Sequence, residues 1–312
     1  MPQYVQAVLH ASTDVGSGVR LLTLQDPDGW ALPPFKPGAH LLLYLAPGLT
    51  RAYSICGDPA VSDRYHIAVK REANGKGGSC FVHDRLRVGE AVKLSLPRCT
   101  FPLAPHAARH LFVAGGIGVT PFLSMAAALE TSGTDYALHL LSRGAPPFAD
   151  RLAQLIARGN AVVHDTLSGR PDLRSMIGRH EPDVHVYGCG PAGLMSAFAE
   201  ATHDWPPDSV HTEYFGPDPA AVKVAGSSFK LVLARSGRDM VVQGGTDLLE
   251  AVEMLGAHVE SSCRGGVCGA CRVRWLKGPP IHRDRVLRPD ERLREVALCV
   301  AGCSGPELVL DL

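Results

Sequence analysis

Four cysteines in the carboxyl-terminal part of the chain have the spacing of metal ligands. They are Cys263, Cys268, Cys271 and Cys299, and they form C-x4-C-x2-C followed by a fourth cysteine 27 residues later. Thiolates are soft ligands, and several of them on one tight loop can converge on a metal centre. The glycines of this loop let the backbone approach such a centre, because they lack a Cβ and adopt positive φ at little cost. They are Gly265, Gly266 and Gly269.

This spacing is typical of plant-type ferredoxins, in which four thiolates hold a 2Fe–2S cluster. A structural zinc site usually has paired C-x2-C motifs, and this region has a single one. A disulfide framework would need an oxidising compartment. We therefore predict a 2Fe–2S cluster on these four cysteines. Cys303 is the alternative fourth ligand. We prefer Cys299 because it ends the apolar run 296–299, as expected of a ligand beside a buried strand.

The chain as a whole has the length and charge of a multi-domain protein of the cytoplasm. Its 312 residues suffice for two or three domains, and its formal net charge is zero. This balance argues against a general binder of nucleic acid or of membrane surfaces. No apolar run is long enough to span a bilayer, and the first residues do not form a signal peptide. Nine cysteines suit a reducing cytosol.

Residues 1–105 contain short β-type runs separated by glycine and proline turns. The runs are 20–24, 40–45, 65–70 and 91–96. Regular short strands with such turns predict a small antiparallel β-barrel. Two stretches of this part indicate an anionic, planar ligand, and we expect a flavin there.

The first of these stretches is 51–54. In an alternating strand Arg51 and Tyr53 share one face, where an aromatic ring and a guanidinium suit a flavin and its phosphate. Ser54 points the other way or ends the strand. The second stretch is 77–79, in which Gly77, Gly78 and Ser79 precede a short predicted helix that begins near Cys80, and its first amides can bind an anion. Alone, the first stretch is a weak signal, because Arg and Tyr alternate on many solvated sheet faces, and the second is better explained by a plain β-turn followed by a capped helix.

Residues 106–222 change to alternating strands and helices, as in a parallel α/β domain. The strand 110–114 runs into a glycine turn, with Thr120 as the predicted N-cap and Pro121 as the first residue of a helix over 122–130. Strand, glycine turn and helix start together form a pyrophosphate site. The turn's glycines are Gly115, Gly116 and Gly118, and they do not match G-x-G-x-x-G.

A second junction of the same kind follows in this domain. After the predicted strands 136–141 and 161–165, the strand that begins at His185 leads through 188–191 into a helix over 192–201, and the strand 209–216 ends the domain. Two such junctions belong at the carboxyl edge of a parallel sheet, where ligands bind. Arg143 follows a strand end and would suit a nucleotide 2′-phosphate or a solvated loop equally well, so NADH and NADPH both stay open.

Residues 223–312 predict a small mixed sheet wrapped on one helix, which is a β-grasp. The linker is expected at 217–219 and 226–228, and a hairpin of strands 229–233 and 240–243 turns at 236–237. A helix over 248–255 ends at Gly256 before the cysteine loop. Strands 271–275 and 308–312 complete the sheet.

Taken together and in this order, the motifs resemble the phthalate dioxygenase reductase family, which includes the vanillate O-demethylase reductases. The resemblance covers the whole chain, includes the segments 213–216 and 281–284, and implies FMN rather than FAD, a nicotinamide nucleotide, and a Rieske-type oxygenase as the electron acceptor. It implies a flavin phosphate near Arg51 and 77–79, and a nicotinamide beside 188–191. The implied cofactor-binding residues are Arg51, Ala52, Tyr53, Ser54, Ala68, Val69, Lys70, Gly77, Gly78, Ser79, Cys80, Gly115, Gly116, Gly118, Thr120, Pro121, Gly188, Cys189, Gly190, Pro191 and Phe215.

The sequence thus predicts a reductase that moves electrons from NAD(P)H through FMN and a 2Fe–2S cluster to a separate protein. Cys189 is expected to pack and position rather than to act as a nucleophile. Arg264 departs from the family, which often has an acidic residue after the first cysteine, and a cation there should favour the reduced cluster. The alternatives are a reductase for another acceptor, such as a cytochrome P450, and a redox sensor without turnover.

Overall fold

The computed structural model describes residues 4–75, 77–215, 228–243 and 246–312. The chain divides into two compact units, Met1–Glu213 and Tyr214–Leu312. Of the predicted linker, 217–219 and 226–227 lie outside the described residues. Within the described ranges, no helix has both the length and the apolar character needed to cross a membrane.

An antiparallel six-stranded sheet opens the first unit. Its strands are Tyr4–Asp14 (β1), Val19–Gln25 (β2), His40–Ala46 (β3), Leu49–Ser54 (β4), Arg64–Lys70 (β5) and Ala91–Ser95 (β6), and its helix is Gly78–Asp84 (α1). The strand order is β4-β3-β6-β1-β2-β5. A bridge between Ile55 and Ile67 joins the end of β4 to the other edge strand, β5, so that the sheet curls into a nearly closed barrel. The predicted barrel is confirmed.

Alternation in these strands fills the barrel with apolar side chains. Leu22 and Leu24 on β2, Leu41 and Leu43 on β3, and Ile67 on β5 are fully or almost fully buried in one cluster. Closure leaves few edge groups unpaired, which stabilises a small sheet in water. Ala68 of β5 instead joins the core of the neighbouring parallel sheet, so the barrel and that sheet are packed together.

The second part of this unit is a parallel five-stranded sheet with helices on both faces. Its strands are Arg109–Gly115 (β7), Asp135–Ser142 (β8), Ala161–Asp165 (β9), Val184–Cys189 (β10) and Val210–Glu213 (β11). Its helices are Thr120–Ser132 (α2), Ala149–Ala157 (α3), Leu173–Ile177 (α4) and Ala192–Ala201 (α5), with 3-10 turns at Gly116–Val119 and Pro207–Ser209. The order β11-β10-β7-β8-β9 is that of a doubly wound sheet, with its switch point between β7 and β10.

The start of α2 differs from the prediction. Thr120 is the first helical residue rather than the N-cap, a position that Val119 occupies. The reason is local: the glycine turn coils into a 3-10 helix, and the Thr120 hydroxyl donates to the Ile117 carbonyl oxygen at 3.0 Å instead of capping a free amide. Helices α3 and α4 had no counterpart in the sequence interpretation. Helix α5 has the predicted bounds and follows Pro191.

The second unit folds as the predicted β-grasp. Its strands are Phe229–Leu233 (β12), Arg238–Val242 (β13), Arg272–Lys277 (β14), Pro280–Ile281 (β15), Glu295–Ala297 (β16), Gly302–Cys303 (β17) and Glu307–Leu310 (β18), and its helices are Leu248–Met254 (α6) and Pro289–Arg292 (α7). The main sheet has the order β13-β12-β18-β14-β16, with β12 parallel to β18. Leu248, Leu249 and Val252 of α6 pack on it.

Candidate functional site

Three polar side chains meet where the barrel joins the parallel sheet. Ser54 ends β4 and Glu213 ends β11, and the Ser54 hydroxyl donates to Oε2 of Glu213 at 3.3 Å. Cys189 ends β10 and is the direct strand partner of Glu213. Since the strands of the parallel sheet end at one edge, Cys189 and Glu213 lie at its carboxyl edge, near the switch point.

The environment of this group keeps it uncharged near neutral pH. Burial raises the pKa of the Glu213 carboxyl to about 8, and the hydrogen bond from Ser54 offsets part of this effect. Burial, and then the charge of Glu213, raise the pKa of the Cys189 thiol well above its ordinary value. Cys189 is therefore a neutral thiol that packs beside Glu213, as the sequence indicated, whereas Glu213 is able to hold a proton.

The two glycine junctions lie directly against each other. A Cβ added to Gly118 would lie 2.3 Å from the carbonyl oxygen of Cys189, and one added to Gly115 would lie 2.6 Å from Cδ of Pro191. Glycine is required at both places because the opposing atoms belong to backbone or to a rigid ring. The predicted pairing of the two junctions is thus a real contact of the fold.

Gly188 has a different role from its neighbours. A Cβ there would lie 2.9 Å from the ring of Phe198 on α5, on the face of β10 opposite to Cys189. Gly188 therefore makes room for a core aromatic. A bulky residue at 188 would disturb α5 packing, so it is a poor probe of nucleotide binding.

A cavity of about 660 Å³ opens beside the two junctions. Of the predicted site residues, it is lined by Lys70 from the barrel and by Gly115, Gly116 and Pro191 from the sheet. Its size falls in the range that accommodates a cofactor. The cavity therefore combines residues of the barrel, Ser17 and Val19 as well as Lys70, with residues of both strand–glycine–helix junctions in the same unit.

Arg51 and the start of α1 form a close contact on the barrel. A Cβ at Gly78 would lie 2.4 Å from Cγ of Arg51, so that the arginine stem runs across the bare glycine. Gly77, the residue before the helix, has φ of 80°. Burial raises the pKa of the Tyr53 hydroxyl to about 12, and the charge of Arg51 acts in the opposite direction. Arginine, glycine backbone and tyrosine thus lie together, an arrangement that suits an anionic planar ligand.

The remaining predicted residues of the barrel make structural contacts. The Ser79 hydroxyl accepts from the Glu72 amide at 3.0 Å, and the Cys80 thiol donates to the Glu72 carbonyl oxygen at 3.4 Å. Ala52 is partly buried in β4. The side chains of Ala68 and Val69 lie in two hydrophobic cores, so any ligand contact they make would come from their backbone.

Thr120 and Pro121 are buried at the start of α2. Gly190 approaches Gly115, since a Cβ at 190 would lie 3.1 Å from the Gly115 backbone. Phe215 belongs to the second unit and is exposed. Its implied role in cofactor binding remains a prediction.

The four cysteines of the second unit come together at the loop 263–271. Hydrogen bonds with Cys268 and then with Cys299 lower the pKa of the Cys263 thiol, and a hydrogen bond with Cys299 lowers that of Cys271. Cys263 is partly exposed, whereas the other three are buried. The set therefore has the convergence of a four-thiolate site.

Backbone amides of the loop point at these sulfurs. The Gly265 amide donates to Cys263 Sγ, and the Gly266 amide donates to Cys299 Sγ, each at 3.3 Å. Gly266 has φ of 71°, and a Cβ there would lie 2.7 Å from Val300 and 3.0 Å from the Cα of Asp284. Amide donors to thiolates and positive-φ glycines fit a 2Fe–2S cluster, whose potential depends on such hydrogen bonds.

Cys303 lies apart from the four, on β17. Its thiol contacts the backbone oxygens of Gly305 and Glu307. Arg264, at φ of 47°, forms an ion pair of 3.2 Å with Glu253 of α6. The cation beside the cluster loop is thus partly neutralised by a neighbouring helix.

Two residues of these sites were not singled out from the sequence. Glu213 was noted only as part of a motif, because one glutamate in a short strand gives no sign of which face it takes. Asp284 is buried beside Gly266, and its carboxylate accepts from the Leu287 amide at 2.9 Å and lies 3.6 Å from Arg292. Asp284 stands between Arg283 and Arg285 outside any helix or strand, so its local sequence gave no sign that it is buried.

Comparison with known proteins agrees with this geometry. Residues 232–304 match the family model of the 2Fe-2S iron-sulfur cluster binding domain. The phthalate 4,5-dioxygenase oxygenase reductase subunit of Pseudomonas putida is 37% identical over 309 residues, which cover 97% of this chain and 95% of that protein. The heme-dependent oxidative N-demethylase beta subunit of Ectopseudomonas mendocina (strain ymp) is 40% identical over 288 residues, 90% of each chain.

A solved structure extends the likeness to the fold. The structure of phthalate dioxygenase reductase, described as a modular structure for electron transfer from pyridine nucleotides to [2Fe-2S], matches with a TM-score of 0.75 and 36% identity, over 99% of this chain and 98% of that one. Sequence and structure thus agree over nearly the whole length, in barrel, parallel sheet and iron–sulfur domain alike. The chain therefore belongs to the phthalate dioxygenase reductase family, the flavin- and 2Fe–2S-dependent reductases of oxygenase systems.

Proposed function

We propose that this protein takes electrons from NAD(P)H, passes them through FMN and a 2Fe–2S cluster, and delivers them singly to a Rieske-type oxygenase. FMN is assigned to residues 1–105, the nucleotide to 106–222 and the cluster to 223–312. The observation that carries the proposal is the cavity that Lys70 of the barrel and the glycine junctions of the parallel sheet line together. The first unit thus has a cavity for the nucleotide next to a flavin-type barrel. The second unit separately supplies the four-cysteine loop.

The residues of the barrel fit FMN. Arg51 supplies a guanidinium for its phosphate, and Gly77 and Gly78 leave the backbone beside it bare. Tyr53 offers a ring to the flavin. When bound, FMN accepts two electrons from the nicotinamide and passes them on one at a time.

Side chains at the place where the barrel joins the parallel sheet hold a proton and shape the site. With its raised pKa, Glu213 keeps a proton on its carboxyl at neutral pH, and Ser54 fixes the orientation of that group. Cys189 supplies a neutral wall beside it. Gly115 and Gly116 of the first junction line the cavity, where their backbone amides suit a pyrophosphate, and Pro191 of the second junction closes it from the other side.

For the cluster, Cys263, Cys268, Cys271 and Cys299 are the proposed ligands. The Gly265 and Gly266 amides would stabilise the negative charge of a reduced cluster. All nine cysteines are free, which supports a reducing compartment and a cytoplasmic location.

An anaerobic titration tests this function. The purified full chain should show flavin absorption over a broader iron–sulfur background, and both should bleach with a nicotinamide nucleotide. A flavin that bleaches while the cluster stays oxidised would contradict transfer between the two. A protein that carries zinc in place of iron after anaerobic preparation would remove the cluster assignment.

The acceptor needs a test of its own, because one relative is named for a heme-dependent demethylase. The prereduced protein is mixed with a Rieske-type oxygenase component or with a heme oxygenase component, and the loss of its reduced spectrum is followed. Faster transfer to the Rieske centre supports the proposal. Transfer to the heme protein alone would replace the Rieske partner and leave the rest of the function intact.

A further inference from the structure

Two histidines on neighbouring strands of the parallel sheet face each other. His139 lies on β8 and His164 on β9, and Nδ1 of His139 lies 3.0 Å from Nε2 of His164. Their rings are close to parallel, with centroids 5.3 Å apart and an interplanar angle of 26°. Neither residue lines the nucleotide cavity. The sheet thus brings two ring nitrogens together at a place that the proposed electron transfer does not use.

The spacing of these nitrogens is close to the one that a metal ion requires. Two imidazoles on a tetrahedral Zn²⁺, each about 2.0–2.1 Å from the metal, hold their nitrogens about 3.3 Å apart. From the separation of 3.0 Å between His139 and His164, a small rotation of the two rings is enough to reach that distance. The backbone of β8 and β9 does not have to move.

Both rings are neutral at neutral pH, which is the state that binds a metal. Burial, and then the charges of His164 and Arg109, lower the pKa of His139, and burial lowers the pKa of His164. Arg109 is itself paired with Asp135 at 3.1 Å, which offsets its repulsion of a cation. A neutral imidazole carries one proton, so a change of tautomer moves that proton to the outer nitrogen and leaves both facing nitrogens free to coordinate.

Solvent reaches this part of the sheet. Strand β9 is an edge strand, and Val162, which shares a face with His164, is 48% exposed. His139 and His164 are themselves partly exposed. In the described part of the chain, no third histidine, cysteine, aspartate or glutamate is placed to complete a site with them, so water supplies the remaining ligands. Imidazole ligands suit Zn²⁺, Ni²⁺ and Cu²⁺ and not a hard cation such as Mg²⁺.

A second histidine pair of the same sheet is less suited to a metal. His185 and His211 have ring nitrogens 2.9 Å apart, but the ring of His211 also stacks on Tyr187, with centroids 4.4 Å apart. Its ring turns toward a metal only by giving up that contact. Among the described residues, His164 has no ring contact besides the one with His139, so its ring is freer to turn.

We propose that His139 and His164 form a binding site for a divalent transition metal ion such as Zn²⁺, which bridges strands β8 and β9. The ion takes the place of the proton between the two facing nitrogens, and water completes its coordination. Since the two rings meet only in the folded chain, an occupied site stabilises the parallel sheet.

Calorimetric titration with Zn²⁺ and with Ni²⁺ tests the site on the full chain loaded with FMN and its cluster, in which the four cysteines are occupied. His139→Gln and His164→Gln should each weaken binding at least tenfold, because loss of even an outer partner of a metal ligand costs about 10–100-fold in affinity. His203→Gln is the matched control, since His203 is exposed after α5 and belongs to neither pair. It should bind both ions as the unmodified protein does.

Two further readouts distinguish coordination from a loss of folding. EPR of bound Cu²⁺ on the oxidised protein should show splitting from two imidazole nitrogens, and fewer in each variant. Zn²⁺ should raise the Tm of the unmodified protein and leave that of each variant unchanged, each protein being compared with itself in metal-free buffer. Equal binding of the ions by the unmodified protein and both variants would overturn the inference. Loss of binding in His185→Gln instead would place the ion at the other pair and overturn it as well.

Discussion

The hydroxyl of Ser54 donates a hydrogen bond to the carboxylate of Glu213 across 159 positions of the chain, at 3.3 Å. Ser54 ends a barrel strand and Glu213 ends an edge strand of the parallel sheet. The bond therefore joins the flavin-type barrel to the nucleotide-binding sheet, and it does so with a carboxyl whose pKa burial has raised to about 8.

This raised pKa predicts a pH-dependent stability. An unfolded glutamate titrates near 4.5 and the folded Glu213 near 8, so between these values the folded state keeps a proton that the unfolded state has released. Stability from this group is thus lost as pH rises through that window, and the cost is complete above about 8. Glu213→Gln should be more stable than the parent at about pH 9, by on the order of 5 kcal/mol, and show no gain at pH 4.5.

Thermal unfolding across this pH range measures the effect. Glu200→Gln is the matched control, because Glu200 is exposed on α5 and should show no pH-dependent gain. A gain from Glu213→Gln of the same size at every pH would show that the carboxyl titrates normally.

Removal of the Ser54 hydroxyl should shift the pH range over which Glu213 lowers the stability. The bond from Ser54 lowers the pKa of Glu213, so Ser54→Ala should raise it above about 8 and move the upper end of the window to higher pH. The pH dependence of flavin reduction by NAD(P)H should move in the same direction. Ser62→Ala, at an exposed position of the same barrel, should leave both profiles in place. If Ser54→Ala leaves both pH profiles unchanged, Glu213 is not the group that titrates.

Local sequence patterns predicted the elements better than the contacts between them. The bounds of α5 were predicted because Pro191 and the apolar run after it act within one turn, whereas Thr120 was misplaced because the glycines before it coil into a 3-10 helix. The fold class and the family were confirmed over the whole chain. The bond between Ser54 and Glu213 was not predicted, because it depends on how two sheets pack and no local pattern encodes that.

Because the two glycine junctions are in contact, a substitution of Gly118 should lower the stability of the protein. In Gly118→Ala the new Cβ would lie 2.3 Å from the carbonyl oxygen of Cys189, and neither backbone is able to move without opening the switch point. Overpacking of this kind costs about 1–3 kcal/mol, and we expect a lower Tm together with weaker nucleotide binding. Gly193→Ala, in open space within α5, should keep or raise the Tm. A parent-like Tm for Gly118→Ala would mean that the junctions are looser than the structure shows.

The ion pair between Arg264 and Glu253 predicts opposite shifts of the cluster potential. Arg264→Gln removes a cation beside the loop and should lower the midpoint potential, since a reduced cluster carries more negative charge. Glu253→Gln removes the anion that offsets that cation and should raise it. Both shifts should shrink at high salt, because the pair is partly exposed. Potentiometry with EPR detection measures both, and shifts of the same sign would contradict a charge effect.

The Gly266 amide donates to Cys299 Sγ, so Gly266→Ala should shift the cluster's midpoint potential more than the Arg264 and Glu253 substitutions do, although it changes no charge. In Gly266→Ala the Cβ would lie 2.7 Å from Val300 and 3.0 Å from the Cα of Asp284, and φ of 71° would be strained, so the loop must shift and the amide must turn from the sulfur. Loss of a donor to a thiolate destabilises the reduced cluster, so the midpoint potential should fall and the EPR signal should change.

Gly237→Ala is the matched control for Gly266→Ala. It has a similar φ of 67°, lies in the hairpin of the same unit, and meets open space. Since it strains the backbone without touching a sulfur, it should lower the Tm and leave the potential at the parent value. If both variants shift the potential equally, the cause is a general loosening of the β-grasp, and the Gly266 amide does not set the potential of the cluster.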